Sequence, residues 1–266
     1  MSAPLREERD GDLLWVTLAD PKRANALSPA LAEALTEVYS RPLREQGVRA
    51  VVLRGEGRHF SAGADLEHLA RLADAGEAEN RADSRRLMRL FQSVLRQEAL
   101  TVALVQGSCV AGGCGLATAH DFVIAAADAR FMYSEVRIGF VAALVATFLP
   151  LRVKGSDLRE LLLDPEFVDA GRAREIGLVN RVVPADELES AGRELAGGIL
   201  TRASSESIAR TKRLLLDVVG LRVEDALAHA AEVNATARAT DDCRRGIATF
   251  LAEKRTPDWR QVRGGS

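Results

Sequence analysis

Residues 106–139 read QGSCVAGGCGLATAHDFVIAAADARFMYSEVRIG, and the organisation of the chain can be worked outward from them. They follow an apolar run at 99–105, interrupted only by Thr101, which is the pattern of a strand buried on both faces. Four glycines then fall within nine residues (Gly107, Gly112, Gly113, Gly115), and a small-residue helix is expected directly after them, over 116–120. Glycines at a strand-to-helix junction let a ligand come close to the backbone, and the first N–H groups of a helix have no acceptor inside it. Glu135 is the only acidic residue between Phe131 and Val141. A donor-lined helix start with a lone glutamate downstream points to an anion-stabilising site with a proton-transfer residue. A junction built only for tight packing is the alternative. Neither G-x-G-x-x-G nor the Lys-Ser/Thr ending of a Walker loop is present, so the usual nucleotide loops are excluded.

The rest of the chain narrows the class. With 266 residues, 47% apolar and 28% charged, it has room for one large domain, or a domain with an appendage, and ordinary globular composition. A net charge of −2 gives no footprint for nucleic acid or an anionic membrane, and the Arg-rich runs are balanced by nearby acids. Three cysteines (Cys109, Cys114, Cys243) without C-x-x-C suit reduced thiols in a cytosolic setting, so a cytoplasmic location is expected. Four scattered histidines without H-E-x-x-H argue against zinc, and no metal is expected. The polar, acidic start MSAPLREERDGD does not read as a signal or transit peptide, and no apolar run reaches membrane-spanning length.

In chain order, strands are expected at 13–18, 48–53, 99–105 and 178–183, with helices between them. Ser28-Pro29 opens one helix as N-cap and first helical residue, and Leu31, Leu35 and Val38 form its apolar stripe. A second small-residue junction, HFSAGAD at 59–65, precedes a helix at 66–72, and a polar stretch at 73–84 leads into a long helix ending near Gln97. Short helices are expected at 144–151 and 157–163, and Asp169 caps another. Beyond Asp186 only helices are expected, at 188–200, 205–219, 223–239 and 241–254. The fold class is therefore α/β with an all-helical C-terminal region.

Six segments in this order resemble the crotonase superfamily of enoyl-CoA hydratases and isomerases: DPKRANAL at 20–27, FSAGADL at 60–66, VAGGCGL at 110–116 with Asp121, SEVRIG at 134–139, the stretch from Asp169-Ala170 to IGLVN at 176–180, and 250–255. The resemblance implies a spiral of strand–strand–helix repeats over residues 1–200, carrying an acyl-CoA site, and a helical region over 201–266 that packs into trimers, often paired as hexamers. It implies that the N–H groups of Ala64 and Gly112 hold the thioester oxygen, where charge develops in an enolate-like transition state. It places Lys22, Ala24, Ala62, Asp65 and Leu66 at coenzyme A positions, with Phe250 and Lys254 completing a neighbour's pocket. One extra residue separates Phe250 from Lys254, and Glu67 stands where some members carry a CoA-binding lysine. No cofactor is implied, coenzyme A being part of the substrate.

Of the two glutamates expected in a fully equipped hydratase, the first falls at Gly115 and is absent, while the second is Glu135. Hydration needs a base for water and a proton source for the α-carbon. One glutamate suffices for an isomerase. Against this, the run SEVRIGFVAAL at 134–144 with GCG at 113–115 resembles the branch that includes methylglutaconyl-CoA hydratase-like proteins. The expectation is an enoyl-CoA hydratase, with enoyl-CoA isomerase or methylglutaconyl-CoA hydratase as alternatives. Glu135 could instead cap a helix or pair with Arg137. Cys114 reads as a packed small side chain, and 140–148 either lines the acyl tunnel or is plain core.

Overall fold

The computed structural model describes residues 3–262. The strands are β1 (Leu5–Asp10), β2 (Leu13–Leu18), β3 (Ala50–Gly55), β4 (Leu100–Val105), β5 (Ser108–Val110), β6 (Phe122–Ala126), β7 (Arg130–Met132), β8 (Val168–Asp169) and β9 (Arg181–Val183). The helices are α1 (Pro29–Ser40), α2 (Leu66–Ala73), α3 (Glu77–Arg96), α4 (Gly112–Thr118), α5 (Val145–Phe148), α6 (Gly155–Leu163), α7 (Ala170–Glu175), α8 (Leu188–Arg202), α9 (Ser205–Asp217), α10 (Val223–Arg238) and α11 (Asp241–Glu253).

Six strands form one sheet in the order β1-β2-β3-β4-β6-β9, parallel except for the β1–β2 edge. Its central strands are continuous apolar runs because both faces are covered. Val16, Val51, Leu53, Ala103 and Val123 pack under α1, α3 and α4. Trp15, Val52, Val102, Leu104 and Ile124 face the opposite layer, where α8 lays down Leu188, Leu195 and Leu200. The interrupting Thr101 is buried, but its hydroxyl and N–H both bond the Asp121 carboxylate, at 2.9 and 2.8 Å. Lys212 Nζ pairs with the same carboxylate at 2.6 Å.

A second, three-stranded sheet has the order β5-β7-β8, and its strands β5 and β7 lead into Gly112 and Glu135. None of its strands, nor β1 and β6 of the larger sheet, is among the strands expected from the sequence. Two helix starts also differ: α3 begins at Glu77 inside the polar stretch, and α4 begins at Gly112, taking three glycines into its first turn. Ser28 and Asp169 cap α1 and α7 as expected, accepting from Leu31 and Arg172 N–H groups. The region from α9 to α11 is helical and contributes no buried residue within those helices.

Candidate active site

Three loops meet at the C-terminal ends of β2, β3 and β4. The loop after β2 turns through Ala24 and Asn25, both in the left-handed region (φ 47° and 53°). Asn25 is fully buried. Its Nδ2 lies 3.0–3.1 Å from the carbonyls of Glu56, His59 and Phe60, and its Oδ1 accepts the Asp20 N–H at 3.0 Å. One amide thus pins the loop after β3 to the loop after β2. The Ala62 N–H then donates to the Ala24 carbonyl at 2.8 Å, bringing two predicted coenzyme A positions together.

The loop after β3 is joined to the one after β4 by a single parallel bridge, Ser61 with Cys109. The Val110 N–H donates to the Ser61 carbonyl at 3.0 Å, and the Ser108 N–H to His59 Nδ1 at 3.1 Å. The approach is close: a Cβ on Gly63 would sit 2.5 Å from the Val110 carbonyl, and one on Gly113 would sit 2.8 Å from Ser61 Cβ. Gly63 also has φ 82°, a conformation that side chains disfavour.

Among the amides these contacts leave without partners are those of Ala64 and Gly112. Ala64 bridges Leu27 and follows Gly63, while Gly112 follows Ala111, held at φ 48°, ψ −122° with its N–H on the Met132 carbonyl at 2.7 Å. A non-glycine residue persists in such a conformation only when its surroundings over-determine it. Among the described residues, the N–H groups of Ala64 and Gly112 have no hydrogen-bond acceptor. Val110 is paired with Met132 in the parallel register of β5 and β7, so Gly112 and Glu135 leave the same end of that pair.

Glu135 opens a short 3₁₀ turn, Glu135–Ile138, closed by Gly139 at φ 71°. It is partly buried, and its Oε2 is shielded from solvent with no hydrogen-bond partner among the described residues. Burial raises its pKa above the ordinary value, and its own backbone N–H opposes this. Arg137 does not pair with it: that guanidinium goes to Glu166 at 3.0 Å. A carboxylate with an unengaged, desolvated oxygen is suited to taking and returning a proton. Two fixed N–H donors are suited to an oxyanion.

The other expected residues are placed as follows. Lys22 is exposed and in no ion pair among the described residues. Asp65 caps α2, accepting the Glu67 and His68 N–H groups at 3.0 and 3.1 Å, with Arg23 3.4 Å away. Leu66 is exposed at the start of the same helix. Phe250 and Lys254 face solvent on α11 and at its left-handed end, and are not joined to the other site residues within this chain. Cys114 is buried, its thiol donating to the Cys109 carbonyl at 2.9 Å, and its hydrogen-bond partners among the described residues are backbone carbonyls. Tyr133 turns into the core, 3.5 Å from the Thr118 hydroxyl. The segment 140–148 divides: Phe140 and Val141 are exposed, Val145 and Phe148 are buried. Cavities of about 450–470 Å³ occur beside Arg49 and Trp259 and beside Arg152 and Lys212, but neither includes the free amides or Glu135.

The model of the enoyl-CoA hydratase/isomerase family matches residues 8–262, nearly the whole chain. The chain belongs to the enoyl-CoA hydratase/isomerase family. Among its relatives, a Thermus thermophilus protein named "Putative enoyl-CoA hydratase" is 44% identical over 247 residues, 93% of this chain and 97% of that protein. A mitochondrial Delta(3,5)-Delta(2,4)-dienoyl-CoA isomerase of Dictyostelium discoideum is 30% identical over 252 residues, 91% of this chain and 85% of that one. The crystal structure of a Mycobacterium smegmatis enoyl-CoA hydratase superposes with a TM-score of 0.90 at 30% identity, covering 98% and 100% of the two chains.

The crotonase fold expected from the six segments is therefore the fold of this family member. Sequence reasoning named both amides and Glu135 but missed what holds them. Asn25 and Ser61 stand in the quoted motifs, and their signal is a small polar residue at a backbone junction. His59 flanks the first donor loop, where a lone histidine reads as a surface residue, yet it is half-buried with its Nδ1 on the Ser108 N–H. Nothing in the sequence pointed to Phe91, which lies beside Gly115.

Proposed function

We propose that this family member is an enoyl-CoA hydratase, adding water reversibly to a 2-enoyl-CoA thioester with Glu135 as its acid–base group. The observation that carries this reading is the shielded, unpartnered Oε2 of Glu135, which leaves the same end of the β5–β7 pair as the free Gly112 amide. The thioester oxygen accepts the Ala64 and Gly112 N–H groups. As the oxygen of water bonds the β-carbon, Glu135 takes one of its protons and the π pair moves onto the thioester oxygen. The carboxyl then returns a proton to the α-carbon, and the pair on oxygen re-forms the carbonyl. Fixed donors stabilise the developing charge without reorganisation, each worth about 3 kcal/mol where such donors have been removed.

Ala24, Ala62, Asp65, Leu66 and Lys22 line the coenzyme A side in this reading. Phe250 and Lys254 serve a neighbouring subunit. An assembly into trimers, or hexamers made from them, is supported by the apolar surface of the C-terminal helices, where Leu227, Ile247 and Leu251 are more than half exposed. No helix among the described residues is long and apolar enough to cross a membrane.

A second reading, an enoyl-CoA isomerase, is favoured by one observation: the space beside Gly115 holds Val145 and Phe91 rather than a second acid. Incubation with 2-hexenoyl-CoA in heavy water separates the two. Gain of one water supports the hydratase, and deuterium uptake without added water replaces it with the isomerase.

A further inference from the structure

The space beside Gly115 is filled by side chains from two other helices. Gly112 and Gly115 are three residues apart on α4 and therefore share a face, and a side chain at 115 would lean back toward Gly112. A Cβ built there would lie 2.7 Å from Val145 Cγ2, 3.0 Å from Phe91 Cζ and 3.3 Å from Phe91 Cε1. All three are apolar side-chain atoms. Val145 and Phe91 are 3% and 5% exposed, and the Phe91 ring packs on Phe148 with centroids 5.5 Å apart. These residues come from α5 and α3, so the filling is tertiary packing and not a local property of the glycine turn.

A buried water needs two to four polar partners, and this wall offers none. We infer that Val145, braced by Phe91, is a specificity-determining residue that keeps the Gly112–Gly115 face of the acyl site dry and leaves Glu135 as its only proton-transfer group. The inference rests on the enoyl-CoA reading of the site. It adds that Val145 sets the partition between two outcomes at one carboxylate. In hydration, Glu135 must both hold the water and take its proton. In exchange, Glu135 removes a γ-proton, the C–H pair moves into the dienolate with charge on the thioester oxygen, and the same carboxyl returns a proton to the α- or γ-carbon, consuming no water. A dry wall lowers hydration relative to exchange without abolishing it, so the hydratase proposed above has to hold its water on Glu135 alone.

The test measures the ratio of hydrated to deuterium-exchanged product from 2- and 3-hexenoyl-CoA in heavy water. Val145→Thr keeps the volume and adds one hydroxyl to the wall. Gly115→Glu combined with Val145→Ala puts a carboxylate into the vacated space. Each is expected to raise the ratio by about fivefold or more, the size of effect one added hydrogen bond to the water would have, and Glu135→Gln in the same backgrounds is expected to abolish both products. Should the double variant not fold, Val145→Thr decides alone. A folded Val145→Thr with the wild-type ratio overturns the wall while a dead Glu135→Gln leaves the proposed function standing. Full turnover in Glu135→Gln, or a wild-type protein inert to both thioesters, overturns the reading of the site and the inference with it.

Discussion

The Ser61 carbonyl accepts the Val110 N–H at 3.0 Å, and this bond fixes the separation of the two loops that carry the free amides. The Ser61 hydroxyl adds a bond in each direction, donating to the Asn25 carbonyl at 2.9 Å and accepting the Gly63 N–H at 3.2 Å. Amides presented by such loops are useful only if they stay put, so the bonds behind them matter as much as the amides.

Gly63→Ala tests that spacing. The new Cβ would meet the Val110 carbonyl at 2.5 Å in a backbone with φ 82°. We expect a loss of about 2 kcal/mol from strain and displacement, and a fall in kcat/KM of about a hundredfold as the Ala64 N–H moves off its target. Thermal melts and kinetics of the same preparation check both.

Asn25→Ala removes the clasp between two loops and leaves buried carbonyls unpaired. A cost of about 3 kcal/mol is expected, most of it the penalty of the orphaned groups. Asn25→Asp should be no rescue, because a carboxylate cannot donate to the three carbonyls around Nδ2. Urea unfolding of the two variants, with retained stability in either, would remove this role.

Glu135→Gln should lower kcat by about a hundredfold or more, while the melting temperature at pH 8 equals or exceeds that of the unaltered protein. Burial raises this carboxyl above the ordinary 4.5, so the protonated form favours folding. That contribution is complete below the ordinary value and is lost as pH rises through the raised one. The variant's advantage should therefore shrink toward pH 4. In the proposed reaction activity runs the other way: Glu135 acts as a base and has to be ionised, so the acidic limb of kcat/KM should lie above the ordinary glutamate range.

Leu227→Glu and Leu251→Glu place charges on the apolar faces of α10 and α11, where both side chains are two-thirds exposed. Sedimentation velocity should show a smaller species for each, with near-native circular dichroism. An unchanged sedimentation coefficient in both would count against assembly through these helices.

The legible and illegible parts of this chain divide by range. Strands β2, β3 and β4 are legible because a strand covered on both faces must be apolar throughout, and the caps of α1 and α7 because Ser28 and Asp169 act within three residues of themselves. Strand β1, LREERD, carries no such pattern: it is an edge, held by its backbone to β2, with five of six side chains exposed. The start of α3 was hidden because its N-cap is Gly76, which offers no side-chain acceptor. At the site, the glycine junctions and Glu135 were visible as local oddities. What a glycine's missing side chain would meet is decided by residues far along the chain, so the absence of an acid at 115 was readable but its replacement by Val145 and Phe91 was not.

The bridges Leu27–Ala64 and Ser61–Cys109 are each one residue pair long, with no ladder on either side. Neither can form until β2, β3 and β4 have brought their ends together, and closing such long loops carries an entropy cost that local contacts do not repay. Assembly of the amide pair should therefore come late in folding, and no fragment short of the whole parallel sheet should hold the proposed thioester. A ligand that binds only the assembled bridges stabilises the folded state by mass action, about 2.7 kcal/mol at a hundred times its dissociation constant. Resistance of this chain to heat and proteolysis should therefore track the supply of its own substrate.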